Sequence, residues 1–176
     1  MGFPKLFYDS RFADALPVAS NTFAGNFAAA NISDLRPYTW WKGTLPATIT
    51  VDCGVVKTAD FALIYGHDLF TQACGIEVRG STDNFAASNV LVASVTPGNN
   101  NPFLLEFASA SFRYWRITFT GAAGKTPSLA MALICAALVV PDYLPNGFDP
   151  ISRNVNLQSN TNDNGFPLGA IINFEH

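Results

Sequence analysis

Apolar and polar residues alternate with a period of two along the middle of this chain. Between residues 48 and 54, every second residue is apolar (Ile49, Val51 and Cys53), and the residues between them are Thr or Asp. Successive side chains of a strand point to opposite faces, so this pattern indicates a strand with one buried face. We predict further strands at 61–66, 76–81, 89–95, 103–107, 113–120 and 129–140.

Turn-forming residues separate several of these strands, at 97–100, 108–111 and 121–127. Short strands at fairly regular intervals, with little helical periodicity, favour an all-β, antiparallel sandwich. Only the alanine-rich segment 24–30 fits a helical turn.

The composition divides the chain into three segments. Residues 1–18 are a predicted extended leader with one short strand, and residues 19–140 contain the predicted sandwich. Residues 141–176 are rich in Pro and Asn, and we predict that they are irregular. A segment this polar does not build a core of its own. We therefore expect it to dock on the sandwich or on a partner.

Charged residues are scarce, since they make up 13% of the chain against roughly 25% in an average soluble domain. So much uncharged surface favours the burial of part of it against neighbouring proteins. The net charge is −3 and Lys and Arg do not cluster, which argues against a nucleic-acid partner. The longest apolar run, 129–140, is shorter than the ~20 residues of a membrane-spanning helix, so we expect no membrane insertion.

The sequence contains no catalytic motif. His67 and His176 have no Ser or Cys partner at a recognisable spacing, and no two carboxylates stand out as a glycosidase pair. Three widely spaced cysteines (Cys53, Cys74 and Cys135) lack a CxxC pair, so we expect buried free thiols and no zinc site. We therefore expect a protein that is not an enzyme and has no cofactor.

Trp40 and Trp41 are candidate binding residues. Adjacent residues of an extended strand face opposite ways, so one Trp can pack in the core while the other is exposed. Three alternatives stay open for the pair: core packing with anchoring of a loop, a protein interface, or a platform on which a sugar ring stacks.

A second candidate group consists of His67, Asp68, Arg79 and Asp83. His67 and Asp68 follow a predicted strand, so they lie on a loop at one end of the sandwich, where binding residues collect. The four side chains could form hydrogen bonds to a glycan. Alternatively, they cap turns and form salt bridges.

Two further charged residues have predicted structural roles. Asp52 ends a strand, and its carboxylate is expected to accept backbone N–H bonds in a turn where Gly54 takes a positive φ. Between residues 113 and 119, alternation puts Trp115 on the inner face and Arg116 on the outer face. We expect Arg116 to hold a carboxylate or loop carbonyls through its planar guanidinium.

Four short motifs carry a resemblance to a known family. They are residues 31–34 with 39–41 (NISD and TWW), 51–54 (VDCG), 79–83 (RGSTD) and 112–117 (FRYWRI). In this order they resemble the discoidin, or coagulation-factor C-type, family over about residues 19–140. The resemblance implies a galactose-binding-like jelly-roll β-sandwich, here with extended N- and C-terminal segments.

Other segments are similar to proteins encoded in phage and prophage tail-gene regions: 36–41 (RPYTWW), 65–69 (YGHDL) and 79–85 (RGSTDNF). This resemblance implies a non-catalytic structural component of a bacteriophage virion, in the tail, baseplate or fibre attachment, made in the host cytoplasm. The implied partners are other phage tail proteins and further copies of the chain in a symmetric assembly.

Two alternatives to a structural role remain open. The first is a glycan-binding module that recognises host surface polysaccharide through the sandwich-end loops with Trp40, Trp41, His67 and Arg79. The second is an accessory domain of a longer enzyme.

The discoidin resemblance also raises the question of a structural calcium ion. Four residues near the first acidic turn could supply the oxygen ligands that calcium prefers: Asn31, Ser33, Asp34 and Thr39. The family commonly adds an acidic residue on its last strand, and residues 129–134 contain none. Calcium is therefore not favoured.

Overall fold

Antiparallel strands form most of the regular structure. The computed structural model of the chain describes residues 5–7, 9–139, 155–161 and 167–174. Its N-terminal part contains β1 (Lys5–Phe7), α1 (Arg11–Asp14), β2 (Val18–Ala19), a 3-10 helix (Ala29–Ser33) and β3 (Trp41–Lys42). The longer strands that follow are β4 (Ala47–His67), β5 (Gly75–Ser81), β6 (Val90–Val95), β7 (Phe103–Thr120) and β8 (Ser128–Cys135). Three further strands follow among the described residues: β9 (Ala137–Val139), β10 (Val155–Thr161) and β11 (Pro167–Phe174).

The main sheet has the strand order β3-β8-β4-β7-β5-β6, and β2 also pairs with β4. All of these pairings are antiparallel. The register between β4 and β7 shifts after Asp52 and again after Ala59, which marks bulges. Because bulges bend strands, the two halves of β4 and of β7 belong to different layers.

The two layers share only β4 and β7. The first half of β4, for example Ile49 beside Ile117, lies with β2, the second half of β7, β5 and β6; we name this the first layer. The second half of β4, for example Leu63 beside Leu104 and Leu133, lies with the first half of β7, β8 and β3; this is the second layer. The predicted all-β antiparallel sandwich is confirmed.

The core lies between the layers and follows the predicted alternation. Ile49, Val51, Trp115 and Ile117 are fully buried, and they belong to one contiguous cluster with the apolar residues of β5 and β8. Cys53 was predicted to share the inner face, but it is only half-buried. The bulge after Asp52 interrupts the alternation just before this residue. Cys74 and Cys135 are buried free thiols.

Strand lengths differ from the predicted ones. The strands predicted at 48–54 and 61–66 form the single strand β4, and those at 103–107 and 113–120 form β7. Residues 108–111 have the composition of a turn, yet Ala110 and Ser111 pair with Ala59 and Thr58. Long-range pairing with a neighbouring strand thus overrides a local preference, as is common in sheets.

The chain divides into two compact units, Met1–Val140 and Pro141–His176. In the first, β1 of the predicted leader pairs with β9. In the second, β10 and β11 form an antiparallel pair in which Gln158 lies opposite Ile171. We predicted no regular element there, but Val155 and Leu157 alternate with amides as in a strand. The prolines of the predicted tail at 141, 145 and 150 lie outside the described residues.

None of the helices in the described ranges has the length and hydropathy needed to cross a membrane.

Candidate functional site: the outer face of the first layer

The antiparallel register brings distant polar residues together on the outside of the first layer. Thr50 of β4 lies beside Arg116 of β7, and Arg116 lies beside Arg79 of β5. Side chains of directly opposed residues point to the same face of a sheet. Their neighbours Val51 and Trp115 are buried in the core, so this row faces outward.

Thr50 and Arg116 line an open cavity of about 410 Å³ on this face. Strands β2, β4 and β7 and the loop between β5 and β6 contribute to its lining, and we name it the outer-face cavity. Hydroxyl, amide, carboxylate, guanidinium and phenol groups meet there with a few aliphatic carbons. The lining residues are Val18, Ala19, Ser20, Thr48, Thr50, Asp52, Asn84, Tyr114 and Arg116.

Arg116 is fixed by two contacts within this cavity wall. Its Nε donates a hydrogen bond to Thr50 Oγ1 at 2.8 Å, and its guanidinium carbon lies 3.6 Å from the centroid of the Phe85 ring. Burial lowers the pKa of Arg116, and the charge of Arg79 lowers it further. We expected Arg116 to hold a carboxylate or loop carbonyls, and among the described residues that expectation is wrong. Instead its contacts are a hydroxyl and an aromatic face.

A carboxylate is held by Arg113 instead. Arg113 donates from Nε and Nη2 to the two oxygens of Asp52, at 2.7 and 2.8 Å. Asp52 also accepts the backbone N–H of Gly54 at 2.8 Å, and Gly54 has a φ of 72°, as predicted. The predicted strand end is wrong, because β4 continues past Gly54 through a bulge. The Arg113 hydrogen bonds and then the Gly54 N–H lower the pKa of Asp52 to about 2. This network fixes one wall of the outer-face cavity.

The loop between β5 and β6 is held in a strained conformation. Asn84 and Phe85 have φ of 57° and 65°, in the left-handed region that costs about 1–3 kcal/mol for such residues. Ser81 Oγ accepts the N–H groups of Asp83 and Phe85, and the Asp83 carboxylate accepts those of Ala87 and Ser88. These hydrogen bonds offset the strain and position Asn84 at the cavity and Phe85 against Arg116.

Two of the sequence-predicted binding residues lie close to this face. Arg79 donates to Glu77 at 2.8 Å and to Asn89 at 3.1 Å, so its guanidinium is already engaged. Asp83 serves as the acceptor that orders the loop between β5 and β6. Both residues therefore have structural partners beside the cavity, and whether they also contact a glycan stays a prediction.

The other four predicted residues lie elsewhere. Trp41 is fully buried and stacks on Phe119, with ring centroids 4.6 Å apart, while Trp40 is half-buried. His67 is 5% exposed, and its Nε2 contacts Asn101 O at 2.9 Å. Asp68 accepts the N–H of Ser128 at 2.7 Å. The structure thus does not bring the six predicted residues into one site, and the burial of Trp41 and His67 makes them core residues.

Several lining residues were not singled out from the sequence. Alternation had placed Thr48, Thr50 and Asp52 on one face of a strand and Arg116 on the outer face of another. Nothing in the sequence showed that β4 and β7 are neighbours with Thr50 opposite Arg116, or that Asn84 would reach the same place. The register of the sheet is the missing information.

The four weak calcium candidates have other partners. Asp34 accepts hydrogen bonds from Thr39 Oγ1 and Arg36 N, Asn31 donates to Trp40 O, and Ser33 donates to Ala30 O. In the described part of the chain, no group of three or more His, Cys, Asp or Glu residues lies close enough to hold a metal ion.

Comparison with known proteins identifies the fold. No family model matches the chain, and no curated protein matches it. Solved structures do match, among them a module from Clostridium perfringens in complex with GalNAc-β-1,3-galactose (TM-score 0.60, 16% identity). It covers 70% of this chain and 96% of its own length. The fold is the galactose-binding-like jelly roll.

Two further modules match with similar coverage. One is the CBM32 module of AlyQ in complex with 4,5-unsaturated mannuronic acid, with a TM-score of 0.58, 23% identity, and 73% and 97% of the two chains covered. The other is a chitosan-binding module from Paenibacillus sp. IK-5, with a TM-score of 0.58, 17% identity, and coverage of 72% and 98%. The match to a truncated AlyQ with CBM32 and alginate lyase domains covers 34% of that longer chain.

These findings correct the main functional expectation. A structural role in a phage virion is wrong as the main expectation, because the solved structures that share the fold include carbohydrate-binding modules, which favour the glycan-binding alternative. The phage setting, the tail-protein partners and the symmetric oligomer find no support. The expectation that the chain is not an enzyme is consistent with the non-catalytic character of these modules, although some are attached to enzymes.

Proposed function

We propose that this chain is a non-catalytic glycan-binding module and that the outer-face cavity holds the sugar. The observation that carries the proposal is the composition of the cavity wall, which combines Tyr114, Arg116, Asn84 and Asp52 with the hydroxyls of neighbouring strands.

These groups suit a sugar ring. A pyranose offers apolar C–H faces that pack on aromatic rings, and a rim of hydroxyls that both donate and accept hydrogen bonds. Tyr114 supplies the aromatic ring, Arg116 supplies donors, and Asn84 supplies both a donor and an acceptor. Binding would require no chemistry, only this arrangement of contacts.

Strand pairing and side-chain contacts hold the residues of the cavity wall in place. Thr50, Asp52, Tyr114 and Arg116 belong to central strands of the first layer, and the Asp52–Arg113 ion pair and the Thr50–Arg116 hydrogen bond fix their positions. Side chains held in this way lose little further freedom when a ligand binds, which favours affinity. The sugars named with the matching modules, an amino-sugar disaccharide and a uronic acid, support the same class of ligand.

The test combines a glycan array with calorimetric titration of the array hits. We expect Tyr114→Ala to weaken binding by roughly five- to thirtyfold, because an aromatic contact in a binding site contributes on the order of 1–2 kcal/mol. Tyr65→Ala is the matched control, since Tyr65 is a partly exposed tyrosine on the second half of β4, in the other layer. The proposal fails if the array has no hits, or if both variants bind as the parent does.

A further inference from the structure

The carboxylates around the outer-face cavity are already engaged. Asp52 accepts hydrogen bonds from Nε and Nη2 of Arg113, and Glu77 accepts one from Nε of Arg79 at 2.8 Å. The third, Asp83, accepts the hydroxyl of Ser81 and the backbone N–H groups of Ala87 and Ser88. Each acid near the cavity therefore has its own donors.

Arg116 has no carboxylate partner among the described residues. Its Nε is used by Thr50, and one face of its guanidinium is covered by Phe85. The remaining Nη1 and Nη2 have no acceptor in the described ranges. Part of this cation is buried, so water solvates it less well than a surface arginine, and an anion brought by a ligand would stabilise it.

The free edge of a guanidinium has a definite geometric preference. Its two parallel N–H groups match the two oxygens of a carboxylate, and such charge-assisted pairs are about twice as strong as neutral hydrogen bonds. A neutral hydroxyl satisfies one of these donors at a time. The edge is therefore selective for a planar acid over an uncharged sugar.

We infer, on the basis of the proposed glycan site, that the ligand is an acidic sugar whose carboxylate pairs with the Nη1 and Nη2 groups of Arg116. The sugar ring then lies along Tyr114, with Asn84 at the opposite rim of the cavity. Arg79, one strand away, already has a carboxylate partner, since its Nε donates to Glu77 and its Nη1 donates to Asn89.

The first experiment varies the ligand and leaves the protein intact. Uronate oligosaccharides built from galacturonate, mannuronate and glucuronate are titrated beside their carboxyl-reduced, neutral counterparts. We expect at least one acid to bind about tenfold or more tightly than its reduced partner, with an affinity that falls as salt rises.

The outcomes separate this inference from the function on which it rests. Neutral sugars that bind as tightly as the acids overturn the inference and leave the glycan site standing. Tighter binding of a sulfated galactan than of every uronate also overturns the carboxylate assignment. Absence of binding by acidic and neutral sugars alike overturns both proposals.

The second experiment varies the arginine. Arg116→Gln is expected to reduce the ratio of acid to reduced-sugar affinity to near one, because it removes the charge, and Arg116→Lys is expected to retain part of that preference. Arg79→Gln is the control and should keep the preference of the parent. An Arg116→Gln protein with the parental preference overturns the inference. If circular dichroism shows that Arg116→Gln is unfolded, the comparison of uronates with their reduced counterparts on the parent protein tests the inference instead.

Discussion

At the scale of single residues, Asp52 and Arg113 show how one ion pair connects the fold to the site. Asp52 lines the outer-face cavity, and Arg113 binds it through both carboxylate oxygens. Both side chains are about two-fifths exposed, so solvent screens the pair and its contribution to stability is modest. In the proposed glycan site, the ion pair holds the Asp52 carboxylate in one position in the cavity wall.

The ion pair predicts a change in the acid sensitivity of folding. The pKa of Asp52 is lowered from 3.8 to about 2 in the folded chain, so its carboxylate stabilises the fold above pH 3.8 and this contribution is lost as the pH falls through about 2. We expect the free energy of unfolding of the parent to fall more steeply than that of Asp52→Asn between pH 4 and pH 2.

Urea unfolding at a series of pH values measures this difference. Asp9 and Asp83 also have lowered pKa values, but parent and variant share them, so only the difference between the two curves reports on Asp52. Arg113→Gln should flatten the curve in the same way, because it removes the main cause of the low pKa. If the free energy of unfolding depends on pH in the same way in all three proteins, the ion pair does not lower the pKa of Asp52 as described.

At the scale of elements, Gly80 of β5 shows a position where the backbone leaves no room for a side chain. Gly80 lies beside Trp115 in the sheet, and a methyl group at this position would overlap the ring of Phe112. The Phe112 ring packs edge-on against Trp115, with centroids 5.4 Å apart, so it is not free to move away. Only glycine fits here without displacing the aromatic cluster.

Substitution of this glycine should therefore destabilise the sandwich. We expect Gly80→Ala to lower the free energy of unfolding by about 1–3 kcal/mol, the usual cost of overpacking a core. Gly98→Ala is the control, since no atom lies within 4 Å of the added methyl group, and it should change stability by about 0.5 kcal/mol or less. Chemical denaturation measures both, and equal stabilities for the two variants would refute the packing argument.

The sequence predicted the faces of strands better than it predicted their lengths. Alternation identified the buried and exposed faces of β4 up to Asp52 and of residues 113–119 of β7, because these positions are decided locally in a strand. It misplaced Cys53, which follows the bulge. It did not show that β4 and β7 run on through their bulges, since Ala108–Ser111 have the residues of a turn and become strand only when paired. The hairpin of β10 and β11 was missed for a similar reason, because its many Asn residues disfavour strands when considered alone.

At the scale of the whole molecule, the jelly roll brings distant segments together. Thr50 and Arg116 share a hydrogen bond although they are 66 residues apart in sequence. The four-motif resemblance led to the right fold, although residues 51–54 lie inside β4 and residues 112–117 lie inside β7 and neither motif ends a strand. It did not locate the cavity, which depends on the register of three strands and on a strained loop. Trp41 is buried, as the core-packing alternative for the tryptophan pair had it, and His67 is buried with its Nε2 against Asn101 O.

Mapping of ligand-induced amide shifts by nuclear magnetic resonance is the most direct test of a glycan site on the outer face of the first layer. Titration with a glycan identified on the array should shift the amides of residues 48–52, 84–85 and 114–116 most strongly. The loops at 68–74 and 97–102 should remain unchanged. Shifts confined to those loops, or no shifts with any glycan, would contradict binding in the outer-face cavity.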